Sequence, residues 1–133
     1  MTTNWRWLNQ DALILLHDES LAEHGGMPGL RDPGLLQSAL ARPLNLAVYG
    51  EPDVADLAAA YAVGLAKNHA FVDGNKRAAF LALGLFLALN GHRLAVGQVE
   101  ATLTIQDVAA GAVDEPRLAA WIREHLDCRS ISS

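Results

Sequence analysis

Apolar and polar residues are distributed along this chain in the pattern of successive helices. Segments with an apolar face, bounded by capping residues and glycines, predict helices over residues 10–23, 33–42, 54–68, 75–89, 99–110 and 115–126. Asn9, Asp32 and Asp53 stand directly before three of these segments and are suited to cap them. Residues 93–96 could be extended, but the sequence contains no convincing sheet. The chain is therefore predicted to be all-α.

The predicted helices differ in apolar content, and the difference indicates how they pack. Residues 78–89 are apolar on nearly all sides, which is typical of a buried central helix in a compact bundle. Residues 54–68 are rich in alanine and allow close packing of a neighbour. Residues 45–52 are expected to be irregular, because they contain the turn signal Tyr-Gly-Glu-Pro. Trp5 and Trp7 are expected to anchor the N-terminal segment.

The bulk properties are those of one globular domain. The chain has 133 residues, of which 51% are hydrophobic and 19% charged, so residues 1–133 are predicted to form a single domain with a polar tail at about 127–133. Its net charge of −5 argues against direct binding of nucleic acid. No signal peptide and no apolar run of about 20 residues is present, so we expect no membrane association. The single cysteine, Cys128, fits a reducing cytoplasm.

One short stretch, residues 68–77, concentrates the residues that carry chemistry. His69 is of the type that moves protons near neutral pH. Asp73 is a hard oxygen ligand suited to Mg²⁺, which binds few carboxylates and keeps its waters and phosphate oxygens. Gly74 lets the backbone approach a ligand closely, and the N–H groups after it lie at a helix start. Together they predict a nucleotide-phosphate site.

Lys76 and Arg77 strengthen this interpretation because they conflict with the local electrostatics. Both fall in the first turn of a predicted helix, where the macrodipole already places partial positive charge. A bound anion would resolve the conflict, and such conflicts are typical of functional sites. Taken without its neighbours, Asn75-Lys-Arg is better explained by an ordinary N-cap whose cations point into water, and only the adjacent His69 and Asp73 favour the anion site. Asn75 itself could bond either the ligand or the loop.

The same residues resemble a known family. The stretch is similar to the signature His-x-Phe-x-Asp-(Gly/Ala)-Asn-Lys-Arg of the Doc ("death on curing") toxins, a branch of the Fic superfamily. The matching residues are His69, Phe71, Asp73, Gly74, Asn75, Lys76 and Arg77. The glycine-rich residues 25–34 and two segments after the motif also resemble that family. The resemblance implies a compact Fic/Doc-like helical bundle, with the motif loop between two central helices.

For the individual residues, the resemblance implies specific roles. His69 would take a proton from an attacking hydroxyl, and Asp73 would hold Mg²⁺ against the phosphates of ATP. Gly74, Asn75, Lys76 and Arg77 would form the phosphate-binding site, with the two cations neutralising charge in the transition state. Phe71 is expected to pack into the core and to orient His69.

A departure from the wider Fic pattern concerns the group transferred. Fic enzymes that transfer AMP carry Gly-Asn-Gly-Arg followed by a second arginine, whereas this chain has Lys76 in place of the second glycine and Phe80 in place of the second arginine. A lysine there occupies space that an α-phosphate would need. The Doc-like expectation is a kinase that transfers the γ-phosphoryl of ATP to a hydroxyl of elongation factor Tu. AMP transfer, or an inactive nucleotide-binding module, remain alternatives.

A second departure concerns control. No Ser or Thr in this sequence is followed four residues later by Glu, so the inhibitory Ser/Thr-x-x-x-Glu helix of many Fic proteins is missing. By resemblance, inhibition would come from a separate antitoxin whose C-terminal segment folds onto the toxin. Two further histidines, His17 and His24, lie on one face of the first predicted helix. We expect both at a solvated surface rather than at a metal site.

Overall fold

The computed structural model describes residues 4–128, and these residues form six α-helices and a two-stranded antiparallel sheet. The helices are α1 Gln10–His24, α2 Pro33–Tyr49, α3 Val54–Asn68, α4 Asn75–Leu89, α5 Gln98–Ala109 and α6 Glu115–Glu124. The strands are β1 His92–Leu94 and β2 Leu126–Cys128. The all-α prediction is confirmed, because the sheet is confined to two strands of three residues each.

The helix starts follow from capping chemistry. The side chains of Asn9, Asp32, Asp53 and Asp114 each accept a backbone N–H of the first turn of the helix that follows. At α3 the cap is reciprocal, since the Asp56 carboxylate also accepts the backbone N–H of Asp53. The three N-caps expected from the sequence are therefore confirmed.

Helix α3, rather than α4, is the central helix of the bundle. Every residue of α3 from Val54 to Ala66 except Asp56 is buried, and α2, α4 and α6 all pack against it. Its small residues permit close approach: a Cβ built on Gly64 would lie 3.2 Å from the Cβ of Ala39 in α2. Helix α4 buries only one face, because Phe80, Leu81, Leu85 and Ala88 on its other side are half-buried and Gly84 is exposed. The expectation that α4 is buried on nearly all sides was wrong.

Two other predictions of local structure were also wrong. Helix α2 does not end near residue 42 but continues through the buried Pro43 to Tyr49, so most of the segment expected to be irregular is helical. Proline removes one helical hydrogen bond and costs about 3 kcal/mol in a helix interior. Here the helix-forming residues after Pro43 carry the helix on to the turn at Gly50, which the sequence did mark.

The described chain ends in a strand. Leu126–Cys128 pairs with His92–Leu94, with Arg93 opposite Asp127 and bonded to its carboxylate. Helix α6 accordingly ends at Glu124, slightly before the predicted boundary. The remaining residues of the predicted tail, 129–133, lie outside the described residues. Strands this short have no periodic signal, so only their pairing reveals them.

The N-terminal segment is fastened to α4 as expected. The rings of Trp5 and Trp7 pack on Phe86 with centroids 6.3 and 6.0 Å away. The side chain of Asn90 accepts from the backbone N–H of Arg6 and donates to its carbonyl. Within residues 4–128, no helix is both long enough and apolar enough to cross a membrane.

Candidate active site

The motif residues lie where α3 ends and α4 begins, as the sequence predicted. Residues 69–74, called here the motif loop, connect the two helices, and Asn75–Arg77 form the first turn of α4. Helices α3 and α4 pack against each other, so the motif loop joins the ends of two neighbouring helices. All the candidate residues from His69 to Arg77 are therefore gathered on adjacent turns.

His69 has an unusual backbone conformation. It caps the C-terminus of α3 in the left-handed region, at φ 54° and ψ 44°, and it is the one non-glycine residue with positive φ among residues 4–128. Glycine usually occupies this position, because a side chain there costs energy. The imidazole is exposed and lines the cavity described below. Such strain is found at functional sites more often than elsewhere.

The glycine-rich segment, residues 25–32, holds the motif loop in this conformation. The Arg31 side chain donates from Nε to the His69 carbonyl at 2.7 Å, and the backbone N–H groups of Arg31 and Asp32 both donate to the Ala70 carbonyl. One turn further along, Val72 N–H donates to the Gly29 carbonyl at 3.0 Å. The sequence predicted a loop here, but it did not predict that Arg31 supports His69.

Asp73 is exposed at the tip of the motif loop, and its carboxylate is already oriented by backbone groups. Its Oδ1 accepts the N–H of Gly74 at 2.8 Å, and its Oδ2 accepts the N–H of Met27 at 3.2 Å. Gly26 must remain glycine for this contact, since it has φ 128° and a Cβ there would lie 3.1 Å from Oδ2. Each carboxylate oxygen keeps a second lone pair, so both can still accept from water, a metal ion or a ligand.

The first turn of α4 has no side-chain cap. Gly74, at φ 73°, is the N-cap residue, and no side chain accepts the first N–H groups of the helix. Asn75 does not cap the helix. Its amide bonds the loop instead, accepting from Phe71 N–H at 3.0 Å and donating to the Phe71 carbonyl at 3.1 Å. The Asn75 side chain therefore bonds the motif loop in this structure.

As a result, the α4 N-terminus is strongly electropositive. Within residues 4–128, the N–H groups of Asn75, Lys76 and Arg77 have no acceptor, and the side chains of Lys76 and Arg77 have no carboxylate partner. The ion pairs among these described residues involve Arg42, Arg93, Arg123 and His125 instead. Free N–H groups, the helix dipole and two unpaired cations together form a strong binding site for an anion.

A cavity of about 720 Å³ opens beside this turn. Its polar side is formed by the predicted site residues, namely His69, Asp73, Gly74, Asn75, Lys76 and Arg77. Its other walls come from α3, α4 and α5, through Ala66, Phe80, Thr102, Ile105, Gln106 and Ala109, among others. The volume and the division into a charged and a largely apolar side suit a small organic molecule that carries phosphate groups.

Sequence reasoning missed the contribution of α5 to this cavity. Thr102 and Gln106 lie one helical turn apart and are both exposed, while Ile105 between them is buried. Nothing in the local pattern distinguishes these residues from an ordinary solvated helix face. Their position beside the motif results from the packing of α5 against α3 and α4.

The expectation that His17 lies at a solvated surface was wrong, whereas His24 is exposed as expected. His17 is fully buried on α1, where its Nε2 donates to the backbone carbonyl of Asp73 at 3.0 Å. Its ring packs on Phe71 with a centroid distance of 4.0 Å. Burial lowers the pKa of His17, although the bond to Asp73 partly opposes the shift. Phe71 is buried, as predicted, but its ring contacts His17 rather than His69.

The donors near the cavity are compatible with Mg²⁺ but not with a structural metal. Residues 4–128 contain no cluster of three or more His, Cys, Asp or Glu side chains that could hold an ion. Asp73 alone supplies a free carboxylate at the cavity. This single hard ligand suits Mg²⁺, which is held mainly by waters and substrate phosphates. It excludes a four-ligand zinc site among these residues.

Comparison with known proteins agrees with the motif. The model of the Fic/DOC family matches residues 7–87. The protein named "Protein kinase doc" of Escherichia phage P1 is 34% identical over 119 residues, which cover 89% of this chain and 94% of that protein. The protein named "Toxin Doc" of Mycolicibacterium smegmatis is 51% identical over 74 residues, covering 53% of this chain and 56% of that protein. The chain therefore belongs to the Fic/DOC family, on the branch of the Doc toxins.

Proposed function

We propose that this chain is the toxin of a toxin–antitoxin pair and acts as a protein kinase, transferring the γ-phosphoryl group of ATP to a Ser or Thr hydroxyl. The observation that carries the proposal is the uncapped N-terminus of α4 beside His69. Three N–H groups without acceptors and two cations without carboxylate partners, as judged within residues 4–128, face one cavity together with a proton acceptor. This combination fits a reaction in which phosphate charge must be held while a hydroxyl is deprotonated.

In the proposed reaction, the acceptor hydroxyl oxygen attacks the γ-phosphorus of ATP. An oxygen–phosphorus bond forms, the bond from the γ-phosphorus to the bridging oxygen breaks, and its electron pair leaves with ADP. The His69 imidazole takes the proton of the attacking hydroxyl and later releases it to water. Lys76, Arg77 and the N–H groups of the first turn of α4 hold the charge on the transferred group.

Asp73 is the residue that would hold Mg²⁺, which offsets the negative charge of the phosphates when bound. The Asp73 carboxylate is kept in place for this role by the N–H groups of Gly74 and Met27. The backbone N–H of Asn75 would bind phosphate directly, whereas its side chain contributes indirectly in this proposal, by closing the motif loop through its two bonds to Phe71.

Lys76 favours phosphoryl transfer over AMP transfer. Its side chain begins in the first turn of α4 and lines the cavity, where it would compete for the space of an α-phosphate. The name of the phage P1 relative is consistent with a kinase. The Lys76→Gly variant should therefore shift the product toward AMP transfer. An unchanged product from this variant would contradict the steric argument.

We further propose elongation factor Tu as the acceptor and the cytoplasm as the place of action, so that transfer arrests translation. Control would come from a cognate antitoxin, whose C-terminal segment folds onto the toxin. Two observations support a separate inhibitor: the similarity to Doc toxins, and the lack of a Ser/Thr-x-x-x-Glu sequence in this chain. Expression of the wild-type chain alone should then arrest growth, and healthy growth with folded wild-type protein would contradict the proposal.

The intact mass of elongation factor Tu, after incubation with this protein, ATP and Mg²⁺, tests the proposal directly. We expect the gain of one phosphoryl group with the wild-type protein, and no gain with His69→Ala. The matched control is His24→Ala, which removes an exposed histidine that does not line the cavity and should leave transfer intact. Gain of AMP would replace the kinase with the adenylyltransferase alternative. Nucleotide binding without transfer to any protein would favour an inactive binding module.

A further inference from the structure

His17 lies outside the motif in sequence but directly beneath it in space. The imidazole contacts three residues of the motif loop: its Nε2 is 3.0 Å from the Asp73 carbonyl oxygen, its ring packs on Phe71, and its Cε1 faces Gly74. A Cβ built on Gly74 would lie 2.8 Å from that Cε1 atom. The imidazole therefore fills the space under the loop, and Gly74 is required for the fit.

The hydrogen bond of His17 determines the orientation of one peptide group. The Asp73 carbonyl and the Gly74 N–H belong to the same planar trans peptide, so they point in opposite directions. Because His17 holds the carbonyl toward the core, the Gly74 N–H points away from the core, where Asp73 Oδ1 accepts it at 2.8 Å. The orientation of this peptide therefore also sets the position of the Asp73 carboxylate. It places Gly74 as the N-cap residue of α4.

The chemistry of His17 is not what stability alone would select. A carbonyl only accepts, so Nε2 must carry a proton. Nδ1 is also buried, and it has no partner among residues 4–128. A buried polar atom without a partner is costly, and an apolar side chain of similar size would avoid that cost but would take the donor away from the Asp73 carbonyl. A residue that breaks the packing rule beside a candidate site points to a role in that site.

We infer that His17 is a positioning residue of the phosphate-binding site, which holds the Asp73–Gly74 peptide so that the Asp73 carboxylate and the α4 N-terminus face the cavity. The inference rests on the proposed function, because the anion concerned is the phosphate chain of the nucleotide. His17 contacts neither substrate nor metal in this arrangement. It acts through the motif loop.

The test compares three substitutions at this position. His17→Gln keeps an amide N–H donor at about the reach of Nε2, His17→Asn keeps the amide but shortens the reach, and His17→Leu removes the donor while filling the space. The probe is inorganic tripolyphosphate, whose binding by calorimetry requires no transfer reaction. Hydrogen exchange of the Gly74 amide provides a second readout, which requires no ligand.

We expect the His17→Leu variant to bind tripolyphosphate about tenfold more weakly. A tenfold change in affinity is about the effect of losing one hydrogen bond, here the bond that positions the motif loop. The Gly74 amide should exchange faster in this variant, while the thermal midpoint of unfolding should change little, because loss of the bond to Asp73 is offset by removal of the unpaired Nδ1. His17→Gln should restore both binding and protection, and His17→Asn should not. A purely structural role would instead lower the thermal midpoint and leave the affinity of the folded protein unchanged. The control is His24→Leu on the same helix, which should change neither readout.

Equal binding by wild-type, Leu and Gln proteins would overturn the inference and leave the proposed function intact. If His17→Leu fails to fold, the comparison of Gln with Asn decides, and equal affinities of these two variants would overturn the inference. Wild-type protein that binds no tripolyphosphate would overturn the proposed function, and the inference with it. These results are distinguishable because the wild-type protein is measured first.

Discussion

The two ends of helix α3 show opposite ways of ending a helix. At its N-terminus, Asp53 and Asp56 form a reciprocal cap, and Arg123 of α6 donates to both carboxylates. At its C-terminus, the helix ends on His69 in a left-handed conformation, with the carbonyl held by Arg31. At the N-terminal end, the polar groups therefore form hydrogen bonds with one another. The second end keeps His69 in a strained conformation. It is followed by the N–H groups of Asn75, Lys76 and Arg77, which have no acceptor among the described residues.

The difference separates the part of the molecule that contributes stability from the part that binds a ligand. Around Asp53, charges of opposite sign are paired, and the helix dipole is complemented by acidic residues. At the N-terminus of α4, the positive end of the helix dipole lies beside the positively charged Lys76 and Arg77. A substitution at the first end should therefore change stability and leave activity intact. At the second end, a substitution should lower activity or binding without lowering stability.

The largest effect is expected from His69→Gly. Loss of the proton acceptor should reduce transfer by about 10² to 10⁴-fold. The same change should raise the free energy of unfolding by about 1 kcal/mol, because glycine adopts the left-handed conformation without a steric cost. His69→Ala is the matched control, since it should lose activity without gaining stability. Transfer assays and urea unfolding measure the two quantities, and a less stable Gly variant would contradict the strain at His69.

The next effect concerns the unpaired cations of α4. Lys76→Ala or Arg77→Ala should each weaken tripolyphosphate binding by roughly tenfold, because a charge-assisted bond to the anion is lost. The free protein should stay equally stable or gain a few tenths of a kcal/mol, since a cation near a helix N-terminus is unfavourable.

Lys67→Ala is the matched control for these two variants. Lys67 lies in the last turn of α3, where a cation is favourable, and it does not line the cavity. Its removal should lower stability slightly and leave tripolyphosphate binding unchanged. Comparable losses of affinity in all three variants would indicate a general effect of net charge rather than a local site.

At the opposite end of α3, Asp53→Ala should destabilise the protein by about 1 kcal/mol through loss of the N-cap. Tripolyphosphate binding and transfer by the folded protein should not change, because Asp53 lies at the far end of α3 from the motif loop. Urea unfolding and a transfer assay below the unfolding midpoint provide the measurement. A loss of transfer at constant stability would show that the two ends of α3 are coupled.

The smallest expected effect is a pH dependence of stability that comes from Asp53. Hydrogen bonds from Arg123 lower the pKa of Asp53 from 3.8 to about 2, with burial opposing the shift. Because the folded pKa lies below the unfolded value, the contribution is complete above about pH 3.8 and is lost as the pH falls toward 2. Asp53→Asn keeps the cap but cannot titrate, so unfolding curves in this range should show a shallower pH dependence. An unchanged slope would contradict the shift.

Much of the fold could be predicted from local sequence, and the reasons are physical. The bounds of α3 and α4 were predicted closely because a capping aspartate, a break at residues 69–74 and a glycine stop are all local signals. Helix α2 was predicted too short because Pro43 usually ends a helix, and only its environment allows the helix to continue. The strand pair was missed because its two strands are far apart in sequence.

The candidate site divides in the same way. The sequence by itself determined the composition of the motif, because its chemical groups are close neighbours along the chain, between His69 and Arg77. The same stretch contains the start of a helix. Chemical type and spacing are properties of a short peptide, so they can be read without a fold. The tertiary structure alone decided which distant residues complete the site.

These distant residues are Arg31 at the His69 carbonyl, His17 beneath the Asp73–Gly74 peptide, and the α5 side chains that close the cavity. Each belongs to a helix or loop whose own pattern is compatible with an ordinary exposed surface. Their roles depend on contacts between segments far apart in sequence, and those contacts are set by how the helices pack around α3. Local residue patterns do not determine that packing, so these distant residues could be identified only from the tertiary structure.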